Sequence, residues 1–169
     1  MARLRRIRLN LHMEQLRTAV LATATLLVGL SAGVFFAYST SVMLALGRVE
    51  DRTFVEVMQK INSAIINGWF LGAYVGALLA AIAAVLLHLG GTHRAALPWL
   101  IAATVLYAVM FIVTAAVNVP LNNQLDAAGL SDPAAARAAF EASWNRWNLV
   151  RTVSSAGALL TLAIALLRH

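Results

Sequence analysis

The chain has 169 residues, of which 61% are hydrophobic and 12% charged, with a mean hydropathy of +0.78 and a formal net charge of +6. A soluble domain carries about twice that share of charge, and without cysteine there is no disulfide framework and no thiolate metal site. The positive balance does not point to nucleic acid: five of the thirteen basic residues (Arg3, Arg5, Arg6, Arg8, Arg17) precede the first apolar run, where they read as a topogenic signal.

Four apolar runs follow, at about 18–46, 63–88, 95–117 and 149–167. Each can cross a hydrocarbon core of roughly 30 Å, which takes about 20 helical residues. Only the last contains a charge, Arg151. The reading is all-α: one transmembrane domain over 1–169, an integral membrane four-helix bundle in the cell membrane, with the lipid bilayer as its first partner. The first run follows a basic stretch like the start of a signal peptide, but it is far longer than the roughly 7–15 apolar residues of such a segment, so it reads as a retained span.

Counting Lys and Arg by side sets the orientation. With both termini cytoplasmic, that face carries Arg3, Arg5, Arg6, Arg8, Arg17, Arg94 and Arg168; the opposite face carries Arg48, Arg52, Lys60, Arg137 and Arg146. The loops at about 47–62 and 118–148 then face outward. Two spans carry small residues every fourth position: Thr25, Gly29, Gly33, Ala37, Ser41 in the first and Gly68, Gly72, Gly76, Ala80, Ala84 in the second. Such stripes let helix backbones approach in lipid, so the first two spans should pair through them, and copies of the chain could associate the same way. Pro120 in "NVPLNNQL" reads as a helix stop. In the loop between spans three and four, "SDPAAARAAFEASWNRWN" reads as a short extra helix that continues into the fourth span, with Ser131 or Asp132 as N-cap and Pro133 in its first turn.

Polar and aromatic residues gather at the outer end of all four spans: Tyr38, then Gln59, Asn62 and Asn67, then Asn118 and Asn122, then Trp144, Trp147, Asn148 and Arg151. The last four fall at i, i+3, i+4 and i+7, one helix face. Such faces could line a pocket with stacking walls, amide hydrogen bonds and one fixed cation able to hold an enolate- or phenolate-like anion. Equally, the tryptophans could form an interfacial belt, Arg151 could snorkel to headgroups, and the asparagines could cap or cross-link helices. His12, His88, His93 and His169 all fall at the opposite end, where His88 with His93 or His12 could make only a weak metal site, and no metal is assigned. Glu50, Asp51, Glu56, Asp126, Asp132 and Glu141 fall in loops; Glu56 is the nearest candidate base, and a poor one.

The segments "GVFFAYSTSVMLAL", "MQKINSAIIN", "NVPLNNQL" and "WNRWNLVRTVSS" occur in that order. Together they resemble the anthrone oxygenase family (DUF1772) of small four-helix membrane proteins, from about Leu26 to Leu160. The chain departs from relatives that have proline where it has Leu44 and Gly68. The resemblance implies oxidation of a flat aromatic, of anthrone or hydroquinone type, by molecular oxygen without metal or flavin. It also implies roles: Trp144 and Trp147 stacking on the rings, Arg151 pairing with the oxyanion, and Asn62, Asn118, Asn122 and Asn148 orienting it. Two other functions remain open at this point. One is a non-catalytic carrier of a lipophilic small molecule; the other is a structural membrane subunit.

Overall fold

The computed structural model describes residues 1–90 and 94–169, without the side chains of residues 2, 3, 6 and 7. His93, one of the inner-end histidines, lies outside the described residues. Helix α1 spans Ala2–Ala37 and runs on through a π turn, Tyr38–Val42, into a last turn, Met43–Leu46. Helix α2 is Asp51–Ile65 and α3 is Gly68–His88. Helix α4 starts as Leu97–Val113, passes through a second π turn, Thr114–Asn118, and continues as Val119–Ala128. Helix α5 is Pro133–Arg168. Of these, α1, α3, α4 and α5 are long and apolar enough to cross a membrane, so the chain is a multi-pass, all-helical membrane protein.

Local chemistry sets the helix ends. The Asn67 side chain accepts from the Trp69 and Phe70 amides and so caps α3. That makes Gly68 the first residue of the helix, a position that suits proline equally well, so this departure from the relatives leaves the helix start intact. Asp132 caps α5 by accepting from the Ala135 amide, with Pro133 next, and α5 then runs unbroken through the fourth span. Gly129 ends α4 at a φ of +60°, where a side chain would be strained.

Two expectations are corrected here. Pro120 does not stop a helix. The π turn before it shifts the ladder, with the Val119 amide bonding back to the Thr114 carbonyl, so the missing proline N–H is absorbed where the regular pattern is already interrupted. Residues 51–65 are a helix rather than an outer loop, because Phe54, Val55, Met58 and Asn62 form a stripe that is buried against the bundle.

The spans pack in a ring, α1 against α3 and α5, and α4 against α3 and α5. Leu21, Ala24, Val28, Ala77, Ala84, Leu100, Ala103, Ala158 and Leu162 fill the centre, while Leu26, Leu30, Leu79, Leu86, Val105 and Leu160 face outward as a lipid-facing surface must. Polar links cross this core. Tyr107 Oη lies 2.9 Å from Ser31 Oγ and 3.0 Å from the Tyr74 carbonyl, tying α4 to α1 and α3. At the end with the termini, Arg17 donates to the Leu87 and Gly90 carbonyls and so caps the end of α3. A second cluster, built on Met43, Leu46, Phe54, Met58, Leu125, Phe140 and Trp144, closes the opposite end. There Arg137 donates to the Gly47 and Val49 carbonyls and to Asp51, which clamps the α1–α2 turn onto α5.

Helices α1 and α3 do pair, along the inner half of the second stripe rather than along the whole of both. A Cβ on Gly33, Gly68 or Gly72 would meet open space, and Gly29 faces Leu159 of α5. At the contact lie Ala84 and Gly76 of the second stripe, Gly76 meeting Leu27, together with buried Ala24, Val28, Ala77 and Ala81 from outside the stripes. Ala81→Leu should therefore lower stability by about 1–3 kcal/mol through overpacking. Gly72→Ala should leave it unchanged or raise it by about 0.5–1 kcal/mol. Thermal unfolding in detergent checks both, and a greater loss at Gly72 would restore the stripe as the interface.

Candidate functional site

Both π turns sit at the closed end of the bundle, and they shape a cavity between α1, α2, α3, α4 and α5. Its volume is about 470 Å³, within the range of small-molecule sites. Phe35 and Tyr38 come from α1, Asn62 from α2, Tyr74 from α3, Thr114, Asn122, Asn123 and Asp126 from α4, and Trp144 and Arg151 from α5. Ile66, Leu71 and Val119, all substantially exposed, form its apolar rim.

Arg151 is its main charged feature and is only 5% exposed. Its guanidinium carbon lies 4.7 Å from the centre of the Phe35 ring and 4.9 Å from that of Trp144, a cation between two π faces. Nη2 donates to Asn148 Oδ1 at 2.9 Å. Asn148 is itself fixed, because its Nδ2 donates to the Phe35 carbonyl at 3.1 Å and to Ser39 Oγ at 2.8 Å. Thr152 Oγ1 donates to the same Phe35 carbonyl. The carbonyl at the entry to the first π turn thus holds two side chains of α5, and the resulting amide orientation aims an oxygen at Arg151.

Among the described residues Arg151 has no carboxylate partner, and its Nε has no hydrogen-bond acceptor. The Nδ2 of buried Asn62, another lining residue, is likewise unpartnered. Buried donors of this kind are costly unless something accepts from them. A cavity lined by a guanidinium without a carboxylate partner and by aromatic rings is chemically suited to an oxygen-bearing anion or a strongly polarised carbonyl on a flat apolar body.

The remaining residues singled out from sequence divide by position. Trp144 is buried, tilts against Tyr38 at 5.4 Å, and donates from Nε1 to Asn122 Oδ1 at 2.8 Å. Tyr38, Asn62, Asn122, Trp144 and Arg151 are thus brought together on the cavity, with Asn148 directly behind Arg151. Asn118 is fully buried but turned away, its Nδ2 donating to the Trp144 carbonyl at 3.4 Å. Gln59 ties α2 to the Leu125 carbonyl, and Asn67 serves as the α3 cap. Trp147 is half-buried outside the lining, and Trp69, 92% exposed, fits an interfacial anchor. Phe35, Tyr74, Thr114 and Asp126 line the cavity without having stood out in the sequence. Phe35 and Tyr74 lie inside apolar runs with nothing in the sequence to single them out, and Asp126 carries a signal only once α4 is continued past Pro120.

The described histidines, His12, His88 and His169, stay at the far end. His88 is buried, with Nδ1 donating to the Ala84 carbonyl and Nε2 3.2 Å from His169 Nδ1. No three His, Cys, Asp or Glu side chains come together among the described residues.

Fold and site together define a multi-pass membrane protein with an aromatic-walled cavity that holds a buried cation at one end of its bundle. Residues 67–161, more than half of the chain, match the family model described as anthrone oxygenase, and the chain belongs to that family. No curated protein and no solved structure matches it. The matched region holds α3, α4 and most of α5, with Asn122, Trp144, Asn148 and Arg151. It starts later than the resemblance read from sequence, so Phe35, Tyr38 and Asn62 lie before it.

Proposed function

We propose that this protein is a membrane oxygenase that oxidises a flat anthrone- or hydroquinone-type aromatic with molecular oxygen, without a metal or flavin. The observation that supports the reading is the buried Arg151 guanidinium on the cavity wall, held by Asn148 between two aromatic rings and without a carboxylate partner among the described residues. Losing a proton turns an anthrone into an electron-rich phenolate, which reacts with oxygen directly. The CH2 carbon supplies all four electrons, so one oxygen atom becomes the new carbonyl and the other leaves as water. What the protein contributes is binding of the ring, stabilisation of the anion and exclusion of bulk water.

In this reading Trp144 and Tyr38 flank the ring, Arg151 pairs with the oxyanion, and Asn62 and Asn122 orient it. Asn148 acts by positioning Arg151. In this reading the cavity end faces away from the cytoplasm, opposite the basic N-terminal cluster. The test is the growth of anthraquinone absorption when purified protein in detergent is given anthrone in air. Conversion faster than in detergent alone is expected. Quenching of tryptophan fluorescence by anthrone with no added conversion would leave a carrier instead. A Soret or flavin band in the resting protein would overturn the cofactor-free part.

A further inference from the structure

The proposed reaction needs a proton acceptor, and the continuation of α4 past Pro120 supplies one. On Val119–Ala128 the residues Val119, Asn122, Asn123 and Asp126 fall at i, i+3, i+4 and i+7, and all four line the cavity. Had the helix stopped at Pro120, Asp126 would have had no fixed relation to Arg151.

We infer that Asp126 is the general base of this site. Of the seven carboxylates in the chain, it is the one that lines the cavity. Most of the others are committed elsewhere: Glu14 to Arg17, Glu56 to Arg52, Asp51 and Glu141 to Arg137, and Asp132 to the α5 cap. Asp126 makes no ion pair or hydrogen bond among the described residues, so its lone pairs are available. It is exposed, so a proton taken from the ligand can pass on to water. Arg151, by contrast, is deep. The cavity therefore has an acceptor on its α4 wall and a cation on its α5 wall.

A ligand with an acidic C–H at one end of a ring and a ketone at the other suits that polarity. The C–H bond breaks, an O–H bond forms on the Asp126 carboxylate, and the electron pair moves through the ring to the ketone oxygen. That oxygen, now a phenolate, pairs with Arg151. The inference rests on the oxygenase reading for its substrate class, but the step itself involves no oxygen.

It can be tested apart from oxidation. Anthrone is incubated anaerobically in D2O with detergent-solubilised protein, and loss of its CH2 signal is followed by proton NMR. Wild-type protein should speed exchange above the detergent blank. Asp126→Asn should slow the protein-dependent exchange by about 100-fold or more, with anthrone still quenching tryptophan fluorescence. Asp126→Glu should retain part of the rate, and Glu56→Gln all of it. Wild-type exchange no faster than the blank, or Asp126→Asn exchanging at the wild-type rate, would overturn the assignment. Exchange that depends on Asp126 with no aerobic oxidation would uphold the base and sink only the oxygenase reading.

Discussion

Arg151→Met should cut oxidation of anthrone by about 10²–10³-fold, as loss of a preorganised oxyanion partner does, while the melting temperature stays level or rises. The two halves of this result have one cause. Arg151 is buried without a carboxylate partner among the described residues, and its Nε lacks an acceptor. Keeping a cation there costs folding free energy, and an apolar side chain of similar length removes that cost. Methionine can also fill the gap between Phe35 and Trp144. A residue kept for packing would show the reverse pattern, a lower melting temperature with activity falling only as the folded fraction falls. Parallel melting curves and initial rates on the two proteins separate these outcomes.

Asn148→Asp should weaken binding of anionic ring ligands by about tenfold or more while sparing neutral ones. The substitution places a carboxylate where Oδ1 now accepts from Arg151 Nη2 at 2.9 Å. The resulting charge-assisted pair would satisfy the guanidinium from within the protein, leaving less of it for a ligand. The lost Nδ2 donor also frees Ser39 Oγ and one of the bonds to the Phe35 carbonyl, at a cost of about 1–3 kcal/mol in stability. Thr152 still donates to that carbonyl, so the fold should survive. Fluorescence titration with an anthracenolate-type anion and with neutral anthraquinone checks the contrast. Equal losses for both would mean that Asn148 merely holds helices together.

Much of the architecture was legible because lipid imposes strong rules. Charge-free runs marked the spans, and Asp132 with Pro133 marked the start of α5. The face at Trp144, Asn148 and Arg151 was readable because α5 is a regular helix from Pro133 to Arg168.

The hidden features come largely from the two π turns. Each adds a residue to a turn and rotates the helix beyond it relative to the helix before it, so i, i+4 spacing fails across it. Thr114 and Asn118 share that spacing within the second π turn, yet Thr114 lines the cavity while Asn118 is buried and donates to the Trp144 carbonyl. The small-residue stripes held only in part, with Gly76 and Ala84 at the α1–α3 contact but Gly33, Gly68 and Gly72 against open space. Small residues permit close packing, but neighbours decide where it happens, and buried alanines from outside the stripes share the α1–α3 contact. Helix α2 was missed because its polar outer face gave it the look of a loop, although Phe54, Met58 and Asn62 recur every fourth residue along one face.

The most direct test of the central claim is the initial rate of oxygen uptake with anthrone, measured for wild-type protein and Arg151→Met in the same detergent. Uptake well above the detergent blank in the wild type, falling toward the blank in the variant, is the predicted result. Wild-type uptake equal to the blank, or equal uptake by the two proteins, would contradict a cavity in which a buried cation drives the oxidation.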